Sequence, residues 1–153
     1  MSKRFDAAVA DLPRLHTQLV ESPLRPVAHS VSDLNFAGIY VLYESGKPVY
    51  VGISKNLTKR LRNHLERSSN KAAFAFPRAK DALKIAKASY TARGSRKDLM
   101  RDLDFLDAFD RARGEIRNMS VRALREDDSF KLFLLEAYVT SEFGLSLGGF
   151  EPH

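Results

Sequence analysis

Two short apolar runs separated by a polar turn form the clearest pattern in the chain. Gly38–Tyr43 and Pro48–Ile53 are rich in β-branched and aromatic residues, which predicts two strands. The Glu-Ser-Gly-Lys sequence between them suits a tight turn, because its glycine can adopt a positive φ. We therefore predict an antiparallel hairpin. Alternation within each strand places Tyr40 and Tyr50 on the face opposite their β-branched neighbours.

A helix is predicted directly after this hairpin. Leucines recur at every fourth position from Leu57 to Leu65 and predict one buried stripe. Asn56 precedes the first of them, where its side chain can accept a hydrogen bond from a free N–H group of the first turn. Arg60 and His64 also differ by four positions, so they share a neighbouring face of this helix.

Four further helices are predicted by the 3.6-residue period, over residues 2–20, 71–91, 95–113 and 130–143. Pro13 predicts a kink or a restart in the first helix, and Pro77 divides the second into two pieces. The third helix has Leu103 on its inner face and is expected to end at Gly114. The last helix is apolar nearly all round, which predicts that it is buried.

The remaining segments complete the predicted fold. Alternation over residues 119–124 predicts a third, half-exposed strand, and residues 22–35 are predicted to form a connector because they contain two prolines and little periodicity. The fold class is α/β (α+β), with a small three-stranded antiparallel sheet flanked by helices. We expect a single domain over residues 1–153, in which 1–36 are the N-terminal helix and connector and 37–153 are the core.

The composition is that of a soluble globular protein large enough to bury a core, with 153 residues, 44% apolar and 29% charged. The absence of cysteine excludes a disulfide framework and a Cys-ligated zinc site. The N-terminus lacks the apolar segment of a signal peptide, and no apolar run is long enough to span a bilayer. We therefore expect a cytoplasmic protein with no membrane partner. Its oligomeric state is not indicated.

The positive charge is concentrated in one part of the chain. The net charge is +6, but residues 53–101 carry 14 Lys or Arg against three acidic residues, which leaves −5 for the rest. Such polarity predicts a positive face for a polyanion, and DNA is the expected partner. The alternative is a set of solvated helix faces. The candidate DNA-binding residues are Lys55, Lys59, Arg62, Arg67, Lys80, Lys84 and Lys87.

Glu136 is the strongest single indication of chemistry. It lies in the middle of the apolar helix predicted over residues 130–143, where a lone carboxylate is costly to bury unless it is paired or bound to a cation. A salt bridge to a buried arginine, or an edge position open to water, would explain it structurally. The functional alternative is a ligand of a hard divalent cation such as Mg²⁺, which takes one or two protein carboxylates and fills its other positions with water and phosphate oxygens.

Taken singly, the tyrosines and the helical Arg60 and His64 are more typical of packing or solvated residues, but their combination is specific. Gly-Ile-Tyr at 38–40, Tyr-Val-Gly at 50–52, Arg-x-x-x-His on the following basic helix and Glu136 on a late helix resemble the GIY-YIG nuclease superfamily. The resemblance runs from about Ala37 to the C-terminus. It implies a divalent-metal-dependent endonuclease that hydrolyses DNA phosphodiester bonds, with Mg²⁺ or Mn²⁺ as cofactor.

The same resemblance implies a role for each site residue. Tyr40 and Tyr50 would be the two site tyrosines, one of them close to the attacking water. Arg60 would bind the scissile phosphate, and His64 would assist proton transfer. Glu136 would hold the single metal ion.

One departure from the family leaves other functions open. Many members carry an asparagine after the glutamate helix, whereas no asparagine follows Asn118 in this chain. The main alternative is therefore a catalytically weak or inactive DNA-binding module on the same fold. A third hypothesis is that the chain is a protein–protein adaptor that binds an acidic partner. For a nuclease without an obvious specificity module, we expect structure-selective cutting or recruitment by a protein partner.

Overall fold

The computed structural model describes residues 2–29, 32–66, 74–83, 99–100 and 102–145. Contacts divide the chain into two compact units, one formed by Met1–Arg60 with Met119–His153 and the other by Leu61–Asn118. The single-domain organisation and its boundaries stay a prediction.

Five α-helices, one short 3₁₀ helix at Val27–His29 and four strands lie within the described residues. The helices are α1 (Lys3–Glu21), α2 (Leu57–His64), α3 (Ala75–Ala82), α4 (Leu103–Arg117) and α5 (Ser129–Glu142). The strands are β1 (Arg25–Pro26), β2 (Gly38–Glu44), β3 (Lys47–Ser54) and β4 (Ser120–Arg125). They form one antiparallel sheet in the order β1-β4-β2-β3. The predicted fold class is confirmed, with four strands rather than three.

The additional strand, β1, lies in the segment predicted to be a connector. Arg25 pairs with Val121 and Pro26 with Ser120 at the edge of the sheet, where the missing N–H of proline is tolerated. The following Val27 N–H donates to the carbonyl of Met119 over 2.9 Å. A strand of two residues is too short to show a period-2 pattern, so only its pairing with β4 identifies it.

The predicted hairpin is confirmed, with a specific turn and one irregularity. Ser45 and Gly46 have φ values of 53° and 81°, which is the geometry of a two-residue type I′ turn. Leu42 pairs with Tyr50, but the next pair of partners skips Val49 and leaves a β-bulge directly before Tyr50. Bulges bend a strand and re-aim neighbouring side chains.

In the first unit, the core lies on the sheet face opposite Tyr40. It contains Ile39, Val41 and Val51 from the hairpin, Leu12, Leu15 and Leu19 from α1, and Leu132, Leu135 and Val139 from α5. The helix α1 is one continuous element, so Pro13 neither ends nor restarts it. Pro13 frees the carbonyl four residues earlier, at Val9, whose side chain is 40% exposed. Water can reach that side of the helix.

The second unit is built on aromatic contacts between α3 and α4. The ring centroids of Phe76 and Phe105 are 5.2 Å apart, and those of Phe105 and Phe109 are 6.4 Å apart. Arg113 on α4 donates from Nε and Nη2 to the carbonyl of Leu65, over 2.9 and 2.6 Å. These contacts hold the chain after α2 against α4.

Several predicted features of the second unit are wrong. Asp102 caps α4 by accepting from the N–H groups of its first turn, so this helix begins later than residue 95. It also continues through Gly114 to Arg117. Leu103, predicted to face inward, is 78% exposed because it is the first residue after the cap. Pro77 lies in the first turn of α3, where proline is tolerated, and does not divide that helix.

The helix that carries Glu136 is only partly enclosed. Lys131 of α5 pairs with Asp11 of α1 over 3.0 Å, and Leu132, Leu135 and Val139 are buried. Phe133, however, is 69% exposed, so the prediction of a helix buried nearly all round is wrong. Among the described residues, no helix combines the length and the apolar character needed to cross a bilayer.

We predict that Asp128→Ala lowers the free energy of unfolding by about 1 kcal/mol, the usual cost of removing an N-cap. Asp128 accepts from the N–H groups of Phe130 and Lys131, over 2.9 and 3.4 Å, and so fixes where α5 begins. Urea unfolding measures the loss. Asp128→Asn keeps the accepting oxygen and should retain most of the stability, and equal losses in both variants would contradict a capping role.

Candidate active site

The hairpin brings the two predicted tyrosines together on one face of the sheet. Tyr40 lies directly opposite Gly52 on β3, and Tyr50 lies two residues before Gly52 on the same face. Their ring centroids are 6.1 Å apart with a tilt of 33°. The sequence predicted the shared face, and the register of the strands supplies the diagonal contact.

Gly52 makes this arrangement possible. An ideal Cβ at Gly52 would lie 2.5 Å from the Tyr40 hydroxyl oxygen and within 2.7 Å of two ring carbons. No side chain fits at this position while the Tyr40 ring lies across β3, so the glycine is a steric requirement. The sequence analysis treated Gly52 only as the last residue of the Tyr-Val-Gly motif and did not predict this steric role. Its position directly after Val51 in a strand was the available signal, because glycine in a strand often marks a close approach.

Arg60 is positioned by the first turn of α2. The predicted cap is confirmed, since Asn56 Oδ1 accepts from the Lys59 N–H over 3.0 Å. The Leu57 N–H donates to the carbonyl of Phe36, and the Thr58 N–H donates to the carbonyl of Leu34, each over 3.0 Å. Carbonyl groups of the loop before β2 therefore accept hydrogen bonds from two N–H groups at the start of α2. These bonds fix the start of the helix, and Arg60 lies toward the hairpin. Sequence reasoning did not identify this loop as a support.

Arg60 contacts both tyrosines. Its Nη2 donates to the Tyr50 hydroxyl over 3.4 Å, and hydrogen bonding to Tyr40 also contributes to the electrostatics of the pair. Burial alone would lower the pKa of Arg60, but the two phenols offset this effect and the pKa is raised. The guanidinium therefore remains charged in a half-buried position.

The two tyrosines differ in their environment. Tyr40 is fully enclosed, whereas Tyr50 is only partly buried. Burial, and to a smaller extent Tyr50, raises the pKa of Tyr40 well above its usual value, and Arg60 only partly opposes this. Tyr40 is therefore a neutral phenol at physiological pH. It can donate a hydrogen bond but cannot serve there as a base.

Glu136 reaches the same region from α5. Its carboxyl is half-buried, and burial raises its pKa above the ordinary value while the charge of Arg60 works against that rise. No ion pair within 4 Å joins Glu136 to another residue in the described ranges, so the predicted salt-bridge alternative receives no support there. The carboxylate is desolvated and lies within the electrostatic influence of Arg60.

A lone carboxylate restricts the metal that could bind. The described residues contain no group of three or more His, Asp or Glu side chains arranged as a metal cage. A zinc site takes three or four protein ligands, and the described ranges provide no such set. A hard cation with one protein carboxylate and several waters does fit Glu136.

The remaining predicted site residues differ in their burial. His64 is fully buried at the end of α2, in the second compact unit, and its role in proton transfer stays a prediction. Lys55, Lys59 and Arg62 are exposed, as expected for phosphate contacts. Lys80 lies 5.9 Å from the Phe76 ring centroid. Outside the described residues lie Arg67, Lys84 and Lys87.

The hairpin and α2 lie in a segment that matches a known protein family. The model of the GIY-YIG catalytic domain matches residues 36–99, so the resemblance is confirmed for this segment, which has a nuclease-type fold. The match contains Tyr40, Tyr50 and Arg60, and it ends before Glu136. Comparison with curated proteins and with solved structures finds no significant match.

We predict that Gly52→Ala destabilises the protein by roughly 1–3 kcal/mol, the typical cost of overpacking. The added methyl group would displace the Tyr40 ring. A double-mutant cycle in urea tests this cause. In a Tyr40→Ala background the methyl group meets no ring, so Gly52→Ala should be neutral or slightly stabilising there. A loss of equal size in both backgrounds would show that the ring is not the obstacle.

A second prediction concerns pH. Because the folded state raises the pKa of Glu136, it binds a proton there more tightly than the unfolded chain does. The contribution of Glu136 to stability is therefore favourable below its unfolded pKa and is lost as pH rises through its folded pKa. Glu136→Gln should remove this loss and be at least as stable as the wild type at neutral pH.

Urea unfolding of both proteins from pH 4 to pH 8 checks this expectation. The difference in stability between Glu136→Gln and the wild type should grow in favour of the variant as pH rises. Other carboxyl groups titrate equally in both proteins, so the difference isolates Glu136. A variant that is markedly less stable at neutral pH would instead indicate a structural salt bridge.

Proposed function

We propose, starting from the GIY-YIG catalytic domain at residues 36–99, that this chain is a divalent-metal-dependent endonuclease that hydrolyses DNA phosphodiester bonds. The observation that carries the proposal is the position of Arg60. It donates to the Tyr50 hydroxyl and acts on the pKa of both Tyr40 and Glu136. A fixed cation, a neutral phenol and a desolvated carboxylate in one compact unit suit phosphoryl chemistry.

The reaction is an in-line displacement at phosphorus. The oxygen of water forms a new bond to phosphorus, the bond from phosphorus to the 3′ oxygen breaks, and a proton reaches that leaving oxygen. Negative charge builds on the nonbridging oxygens during this step. Arg60 stabilises that charge, since its planar fork of donors matches two phosphate oxygens and is held in place before the substrate arrives.

The two tyrosines have separate roles in this proposal. Tyr50 is partly exposed and accepts from Arg60, so its hydroxyl is the one available to a water or to the phosphate. Tyr40 is enclosed behind it and keeps its proton, so it acts as a positioning residue for Arg60 and Tyr50. Glu136 would hold the divalent cation, which when bound supplies positive charge to the phosphate oxygens and to the leaving oxygen.

Plasmid nicking tests the activity directly. Supercoiled DNA should be nicked with Mg²⁺ or Mn²⁺ and remain intact with EDTA. Glu136→Gln should bind DNA but not cut it. A protein that binds DNA with the expected salt dependence and cuts under none of these conditions would be a binding module, and the enzymatic proposal would be rejected.

Arg60→Ala should lower the cleavage rate by about a hundredfold or more, because a preorganised donor to the transition state is lost. DNA affinity should fall only modestly, and its salt slope should decrease by about one. Arg60→Lys is the matched control, since it keeps the charge and removes the fork. Single-turnover cleavage and fluorescence anisotropy measure the two effects, and losses of the same size in both would make Arg60 an ordinary phosphate contact.

Exposed lysines at the start of α2 should carry part of the nonspecific affinity. We predict that a Lys55→Glu/Lys59→Glu double variant binds DNA more weakly at low salt, with a salt slope smaller by about two, whatever the DNA sequence. Lys3→Glu/Lys47→Glu changes the same charge at two exposed positions on α1 and the hairpin. If only this control weakens binding, the DNA runs over the N-terminal helix and the hairpin.

A further inference from the structure

Phe133 is an exposed aromatic residue for which the fold supplies no partner among the described residues. It is 69% exposed, whereas most apolar side chains of α5 are buried or half-buried. Phe130, on the same helix, does have partners. Phe5 packs against its ring, and the Arg4 guanidinium lies 4.5 Å from the ring centroid. The N-terminal helix thus covers Phe130 and leaves Phe133 uncovered.

The position of Phe133 relative to Glu136 gives it a possible use. Residues three apart on a helix are neighbours, with about 5–6 Å between their Cβ atoms. Ala137, one turn after Phe133, is exposed and too small to cover either side chain. On the opposite flank of α5, Lys131 is paired with Asp11 of α1. Phe133 therefore lies on the open flank of α5, which is the side that α1 does not cover. It is next to Glu136, the carboxylate whose pKa is affected by the charge of Arg60.

We propose that Phe133 is a stacking platform for an unpaired nucleobase next to the scissile phosphate, and this inference rests on the proposed endonuclease function. Phe133 lies three residues before Glu136 on α5, and the charge of Arg60 acts on Glu136, so a strand whose phosphate is held at Arg60 passes near this ring. Aromatic side chains stack on bases of any sequence, since every base has a π face.

The platform determines the substrate class. Inside a duplex, both faces of a base are already covered by its neighbours, so Phe133 can stack only on a base that has left the helix or lies at its end. Flaps, branches, bulges and single strands present such bases, and a continuous duplex does not. The site should therefore prefer DNA that is unpaired at the cut.

A protein partner fits this surface less well. A specific protein interface needs about 800 Å² on each side. A phenylalanine with an adjacent alanine provides much less, because even complete burial of an aromatic side chain covers only about 150–250 Å². A flat ring of this size matches a single base, and the positive charge of Arg60, which acts on the adjacent Glu136, favours a polyanion over an apolar peptide.

The experiment uses a flap substrate with 2-aminopurine at the unpaired position beside the junction, and a continuous duplex of the same sequence. Binding is measured in EDTA by anisotropy and by quenching of 2-aminopurine, which reports stacking. Cleavage is then measured with Mg²⁺ or Mn²⁺. The variants are Phe133→Ala, Phe133→Leu and Phe133→Trp. The control is Leu24→Ala, which shortens an apolar side chain, 47% exposed, beside the opposite edge strand of the sheet.

We expect Phe133→Ala to lose quenching and to bind and cut the flap roughly tenfold less well, the usual effect of removing one stacked aromatic, while the duplex is unaffected. Phe133→Leu keeps apolar area without a flat π face and should behave like the alanine variant. Phe133→Trp should restore both quenching and flap preference, and Leu24→Ala should change neither.

Three results would overturn the inference. The first is quenching that survives in Phe133→Ala. The second is full function in Phe133→Leu, which would indicate simple apolar contact. The third is an equal loss on flap and duplex, or a change in oligomeric state on size-exclusion chromatography, which would point to a folding effect or to contact with a second copy.

Failure of the proposed function gives a different outcome. If the wild type quenches 2-aminopurine through Phe133 but cuts nothing with either metal, the stacking site stands and the enzymatic proposal fails. If the wild type cuts and all Phe133 variants cut the flap equally well, the enzymatic proposal stands and the stacking site fails.

Discussion

The packing of the Tyr40 ring on the backbone of Gly52 is the constraint on which the site depends. A fully enclosed phenol on one strand requires an empty position directly opposite on the next, and Gly52 supplies it. The ring then meets Tyr50 diagonally, and both hydroxyls become available to Arg60. Because β2 lies between β3 and β4 in the sheet, the strand that carries Tyr40 is hydrogen-bonded on both sides.

The charged carboxylate of Glu136 lowers the stability of the folded protein, and a functional role would explain why it is present. Glu136 is half-buried, its pKa is raised, and no described residue forms an ion pair with it. A protein optimised only for stability would place a neutral or apolar residue there. A single carboxylate is nevertheless a suitable protein ligand for a hard cation that keeps several of its waters. Tyr40 is more deeply buried than Glu136, and its burial raises the pKa of the phenol, which keeps its proton at neutral pH.

The open flank of α5 connects this chemistry to substrate choice. The N-terminal helix packs on Phe130 and Lys131 and leaves the side of Phe133 and Glu136 accessible. In the proposed endonuclease function, groups close to the cut contribute to the selection of DNA. The proposed aromatic platform beside Glu136, the proposed metal ligand, would provide such selection through the shape of the DNA rather than through its sequence.

The sequence by itself determined the local elements and most of the candidate site. Period-2 alternation predicted the hairpin and the shared face of Tyr40 and Tyr50, and the leucine repeat with Asn56 predicted α2 and therefore the place of Arg60. These features depend on neighbours in the chain, so they can be read from a single sequence. The isolated carboxylate on an apolar helix also identified Glu136 without any structure.

Only the tertiary structure decided features that depend on distant segments. The strand β1 exists because β4 pairs with it, and two residues carry no period of their own. The steric role of Gly52 requires the register of β2 and β3, and the exposure of Phe133 requires knowing which flank of α5 the N-terminal helix covers. Burial and pairing between remote residues are set by the packing of whole elements, which local periodicity does not encode.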